Sequence, residues 1–170
     1  GRTDLLGDRL AHEAAHRQVL ASGPANGRVG RLVGTVLVGM SYSWWMNKHT
    51  RHHANPNHVG RDPDIVAGGV VFTRAQARAR DSRLGRWVAR HQAALFFPML
   101  LLEGVALRVA GIRALRARPA DSTRRVESAL LGVHIVGYLA AVFLVLPPAQ
   151  GAAFIVVQQG LFGLYLGCSF

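Results

Sequence analysis

Residues 128–170 of this 170-residue chain, 43 in a row, contain no Lys, Arg, Asp or Glu. Few arrangements accommodate such a run. A helix needs about 20 mostly apolar residues to cross the hydrocarbon core of a bilayer. Residues 129–146 and 151–170 each come close to that length, with Pro147 and Pro148 between them. Proline lacks the N–H that a continuous helix requires. The economical reading is a transmembrane hairpin that turns at Pro147, Pro148 and Ala149.

The formal net charge is +11, and Lys48 is the only lysine. An excess of Arg fits either nucleic acid or an anionic membrane surface. A nucleic-acid-binding domain has no use for the long uncharged run, so the reading keeps the bilayer as partner and excludes nucleic acid. Cys168 is the only cysteine. An internal disulfide and a CxxC site are therefore excluded, and any metal rests on His and carboxylates. No charged region precedes a short apolar stretch at the start, so no signal peptide is expected.

Two other apolar segments stand out. Residues 32–47 are uncharged and include Trp44 and Trp45, and residues 92–107 are apolar except for Glu103. The second is flanked by Arg74, Arg78, Arg80, Arg83, Arg86 and Arg90 before it, and by Arg108, Arg113, Arg116, Arg118, Arg124 and Arg125 after it. Positive loops favour the cytoplasmic side. Both flanks want that side, so the segment reads as an interfacial or re-entrant helix, with a third span as the alternative. The remaining periodicity is helical. Residues 5–20 are good helix formers, with Gly23–Pro24 as the expected stop. Asn55–Pro56 and Asp62–Pro63 mark a loop, and residues 70–72 after Gly68–Gly69 read as a short extended piece. The fold class is all-α, with membrane-embedded helices.

Six of the eight histidines fall in two groups. The first is His12-Glu13-Ala14-Ala15-His16, and the second is His49-Thr50-Arg51-His52-His53, with His58 following. Positions i, i+3 and i+4 share one helix face, so five imidazoles from two helices are positioned to converge. His91 and His134 read as structural. Imidazole suits Zn, Cu, Fe and Ni. A structural zinc site closes at four ligands, often thiolates, so five histidines suggest two metals, or more ligands than a single redox-inert ion would use. The competing reading is local: His12, Glu13 and His16 also fit H-E-x-x-H, in which two His bind zinc and the Glu is general base. A metalloprotease of that kind leaves His49, His52 and His53 without a purpose.

At this point the residues reach a family. HEAAH and HTRHH, the latter followed by NPNHVGRDPDI, resemble the first two histidine boxes of the membrane-bound fatty acid desaturases. The run SYSWWMNKHTRHHANPNHVGRDPD and the tail GLFGLYLGCSF are similar to the bacterial acyl-lipid and acyl-CoA branch. The resemblance implies a partial desaturase fold with its histidine boxes on the cytoplasmic side. It implies His12, His16, His49, His52 and His53 as ligands of two iron ions. A metal-bound imidazole donates its other ring N–H to a nearby acceptor; Asp62 and Asp64 are candidates, or a turn-forming pair without contact, and Glu13 is another, or an exposed helix residue. The resemblance further implies a fatty acyl lipid or acyl-CoA substrate, O2, and an external electron donor that is ferredoxin- or cytochrome b5-like. The family's third box, first membrane hairpin and any fused cytochrome domain are not in the sequence, so the chain is expected to be a fragment, inactive alone. Related hydroxylases and ketolases share a similar core and remain open.

The expected organisation is a first-box helix at 1–27, an interfacial helix at 28–47 and the second box at 48–65. The interfacial or re-entrant helix at 92–107 and the hairpin at 129–146 and 151–170 complete it. Histidines that share one site must lie on one side of the membrane, so residues 32–47 cannot cross it alone. Trp44 and Trp45 suit the membrane surface, or the wall of an acyl tunnel. The arginines around 92–107 fit plain topology, or attraction of anionic lipid, a phosphate-bearing acyl carrier or an acidic electron donor.

Overall fold

The computed structural model describes residues 2–66 and 68–169. Every regular element among them is helical. Helix α1 spans Arg2–Ala15, α2 Gly23–Leu32, α3 Tyr42–Ala54, α4 Arg74–Arg78, α5 Arg83–Leu100, α6 Glu103–Ala117, α7 Ser122–Val145 and α8 Pro148–Ser169. The extended piece expected at 70–72 is not a strand. The chain divides into two compact units, one of residues 1–46 and 105–158, the other of 47–104 and 159–170.

Helices α7 and α8 are the two candidate membrane spans. Twenty-four residues give α7 a length of about 36 Å, enough for a hydrocarbon core of about 30 Å. Asp121 starts α7 by accepting the Arg124 N–H at 2.7 Å. The Arg118 guanidinium bonds the same carboxylate and holds it below its ordinary range. Helix α7 ends where Leu146 turns extended, and Pro148 opens α8. The Gly151 N–H closes the first turn onto the Pro147 carbonyl at 2.8 Å. Tyr138 donates to Gln158 at 3.1 Å.

The segment expected as one interfacial helix at 28–47 is divided. After α2 the chain makes a π-helical turn, Val33–Leu37, and then a break at Gly39 before α3 begins. The carbonyls freed there are taken up by side chains. His134 of α7 donates from Nδ1 to the Val36 carbonyl at 2.7 Å, and Arg108 of α6 donates to the Val38 carbonyl at 2.9 Å. His134 thus has the structural task expected of it. Val33, Gly34, Thr35, Val38 and Met40 are buried, so this stretch forms core. The expected helix at 92–107 is likewise split between α5 and α6 at Leu101–Leu102. There Gly163 of α8 approaches so closely that a Cβ would meet the Leu100 carbonyl oxygen at 2.5 Å.

Gly39 has φ +76°, and the His134 imidazole fills the space where its Cβ would stand. An alanine there takes on the left-handed penalty of about 1–2 kcal/mol and also displaces the histidine. Gly39→Ala is expected to lower the thermal unfolding midpoint of the full-length protein in detergent. An unchanged midpoint would contradict this account of the break.

Candidate metal centre

The first histidine pair lies at the C-terminal end of α1. The His16 N–H closes onto the His12 carbonyl at 3.1 Å, and the two rings are 4.7 Å apart. The helix stops immediately afterwards. Arg17 adopts φ +59°, its N–H bonds the Ala14 carbonyl, and the Gln18 N–H bonds the Glu13 carbonyl, both at 3.0 Å. Those paired bonds form a Schellman closure, usually built on glycine. Gly23–Pro24 is therefore not the stop of α1 but the start of α2, with Ser22 as its cap. Buried Asn26 secures the turn between them. Its side-chain oxygen accepts from Val19 and Leu20, and its NH2 donates to the Leu20 and Ser22 carbonyls.

Trp45 meets the His12 ring edge-on at 6.1 Å and stacks on Tyr42 at 6.2 Å. His12, Ala11, Met40, Tyr42 and Trp45 line a small apolar pocket. Trp44 packs toward Gly111 of α6. Both tryptophans are half-buried. The Glu13 side chain is exposed, with Oε1 3.9 Å from Nδ1 of His12.

The second group rides on α3. His49 and His53, one turn apart, have ring centroids 4.4 Å apart, and His52 and His53 lie 5.7 Å apart. Asp62 is fully buried behind His52. Its carboxylate accepts the Asn57 N–H at 2.7 Å and the Asp64 N–H at 2.9 Å. Nδ1 of His52 lies 3.0 Å from both Asp62 oxygens and 3.0 Å from Asp64 Oδ2. Lys48 pairs with Asp64 on the other side. Asn57 sits at φ +60°, a conformation that asparagine tolerates better than most residues. Burial raises the Asp62 pKa, but the hydrogen bonds from the Asp64 amide, His52 and the Asn57 amide outweigh it and hold it below the usual carboxylate range.

An ionised carboxylate only accepts hydrogen bonds. Nδ1 of His52 therefore carries the proton, and its Nε2 lone pair is left for a ligand. His52, Asp62 and Asp64 stand close enough to hold a cation themselves. A protonated Nδ1 and the Lys48 ammonium already occupy those carboxylates, so the cluster orients His52 instead. His58, expected near the group, has Nδ1 2.9 Å from the Val59 carbonyl. The residue that sequence reasoning passed over is Glu127. It is fully buried and tied to Ser41 and Ser43. Its signal was its place as the last charge before the uncharged run.

The protein is thus a helical membrane protein with two histidine groups, one already braced by carboxylates. It belongs to the fatty acid desaturase family, whose model, described as fatty acid desaturase, matches residues 5–170. Among its relatives is the acyl-lipid (8-3)-desaturase of Rebecca salina, 32% identical over 78% of this chain and 31% of that protein. The delta(8)-fatty-acid desaturase of Helianthus annuus is 36% identical over 58% of this chain and 24% of its own length. Human fatty acid desaturase 3 is 27% identical over 52% and 20%. The chain thus spans less than a third of the length of these curated relatives. No solved structure matches it.

The Asp62 cluster has a pH signature. A carboxylate whose folded pKa is depressed contributes stability that is present above its unfolded value, about 3.9, and lost as pH falls through the lower folded value. Amides of residues 55–64 are expected to stay protected from hydrogen exchange from neutral pH down to about 4, and to lose protection in more acid solution. Asp62→Ala is expected to lose it already at neutral pH. Equal protection in variant and wild type would refute the bracing role.

Proposed function

We propose that this chain supplies part of the catalytic domain of an oxygen-dependent fatty acyl desaturase, with His12, His16, His49, His52 and His53 as ligands to a pair of iron ions. The bracing of His52 by Asp62 and Asp64 carries the reading. Metal-ligating histidines usually donate their second ring N–H to a carboxylate, which fixes the tautomer and raises ligand basicity. The donor set fits iron, since neutral imidazoles suit it and leave no thiolate to favour a structural zinc.

An alkyl methylene has no acidic proton and no leaving group, so acid–base side chains alone cannot activate it. Iron bound here supplies the oxygen-dependent chemistry that such a bond requires. The residues of the chain do the rest. Asp62 and Asp64 hold the His52 proton at Nδ1. Glu13, with its carboxylate 3.9 Å from Nδ1 of His12, is the candidate for that role in the first group. Ala11, Met40, Tyr42 and Trp45 give the His12 ring an apolar wall on one side. The substrate is an acyl lipid or acyl-CoA, in keeping with relatives named as acyl-lipid and fatty-acid desaturases. Reduction of O2 to two waters takes up the two hydrogens removed, one from each of two adjacent methylenes, as the double bond forms. It also needs two electrons and two protons from outside, so a ferredoxin- or cytochrome b5-like donor is the partner. The histidine groups face the cytoplasm, where the Arg-rich flanks of residues 92–107 belong by the positive-inside tendency.

Fatty acid profiles of cells expressing the full-length protein test this. His52→Ala is expected to abolish the unsaturated product while leaving membrane insertion intact. Glu13→Gln is expected to retain activity within about tenfold of wild type, the lower range for an orienting group. A zinc protease inverts that order, because Glu13 would then be the essential base and His52 dispensable.

A further inference from the structure

We propose that Glu127 is a positioning residue for the second histidine group, acting from the base of membrane helix α7 as the N-terminal cap of α3. This rests on the reading that the α3 histidines bind iron.

The side chain is fully buried and carries a charge. Burying a carboxylate is costly unless its oxygens are satisfied, and here they are. Oε2 accepts the Ser41 hydroxyl at 2.7 Å and the Ser43 hydroxyl at 3.0 Å. Oε1 accepts the Ser43 N–H at 3.0 Å. Nε of Arg31 stands 3.7 Å from Oε1 and makes no hydrogen bond among the described residues. It contributes charge without a directed bond.

The partners are the residues at which α3 begins. Ser41 precedes the helix and its Oγ is 3.4 Å from the Trp44 N–H, a long and weak local cap. The N–H of Ser43 is one of the donors that every helix start leaves without an intrahelical acceptor. Glu127 meets that need from 84 residues away, and its charge faces the positive end of the helix dipole. A local cap fixes only where a helix begins. A cap delivered by another helix also fixes where that start lies relative to α7 and how α3 is rotated about its axis. His49 follows Ser43 by six residues, about 9 Å along the axis, so rotation at the cap is transmitted to the faces of His49, His52 and His53.

No other ionisable side chain is as buried on α7, whose remaining 18 residues after Glu127 are uncharged. A polar uncharged residue would serve the helix as well. What only an acceptor of several bonds can do is hold both serines and the Ser43 amide at once.

The test uses the full-length protein in detergent, with Glu127→Gln and the milder double change Ser41→Ala with Ser43→Ala. Three quantities are read: hydrogen exchange across α3, iron affinity by titration into iron-free protein, and the thermal midpoint of the iron-free protein. Both variants are expected to exchange faster in the first turns of α3 and to bind iron about 10–100-fold more weakly, the range for groups that orient metal ligands. Wild-type iron affinity in both, with or without a lowered midpoint, overturns the proposal and leaves Glu127 a purely structural role. Should Glu127→Gln fail to fold, the double variant decides alone. A wild-type protein that binds no iron contradicts the iron reading instead, and wild-type exchange rates in the first turns of α3 in both variants then refute the cap separately.

Discussion

A helix that carries metal ligands must have its start fixed, because an error in rotation there moves every ligand. In this chain the start of α3 is tied by buried hydrogen bonds to Glu127, two turns into the first membrane helix. The other end of the same problem is met locally. The loop after α3 folds back so that Asp62 collects two backbone amides and the His52 ring on one carboxylate. Each arrangement uses a buried acid whose bonds are spent on backbone and side-chain donors, which is the condition under which a buried charge rigidifies a structure.

The break at Gly39 has the same logic. A π-helical turn and a left-handed glycine expose carbonyls that a continuous helix would satisfy, and a buried unpaired carbonyl is costly. His134 and Arg108 answer two of them. An intramembrane histidine is ordinarily a functional residue by default. In this case the imidazole supports the backbone that leads into α3.

Composition alone made the two candidate membrane spans legible, because 43 uncharged residues interrupted by Pro147–Pro148 admit few alternatives. Spacing made the two histidine groups legible, because i, i+3 and i+4 positions share a face. Asp62 and Asp64 were visible as neighbours of the second group, though nothing in the sequence said that both would meet the same ring nitrogen. The failures share a cause. Residues 28–47 were read as one interfacial helix and 92–107 as an interfacial or re-entrant one, and where each breaks is set by contacts distant in sequence: His134 on Gly39, and Gly163 against Leu100. The end of α1 was misplaced because Arg17 takes a left-handed conformation that sequence reasoning reserves for glycine. Glu127 was passed over, since only the fold brings Ser41 and Ser43 to it.

The central claim is that two iron ions are held by the histidines of this family member. Metal analysis of the anaerobically purified full-length protein tests it most directly. The account predicts about two irons per chain, removed by chelation and lost in a variant with His49, His52 and His53 replaced. Stoichiometric zinc that survives chelation, with no iron, would contradict it.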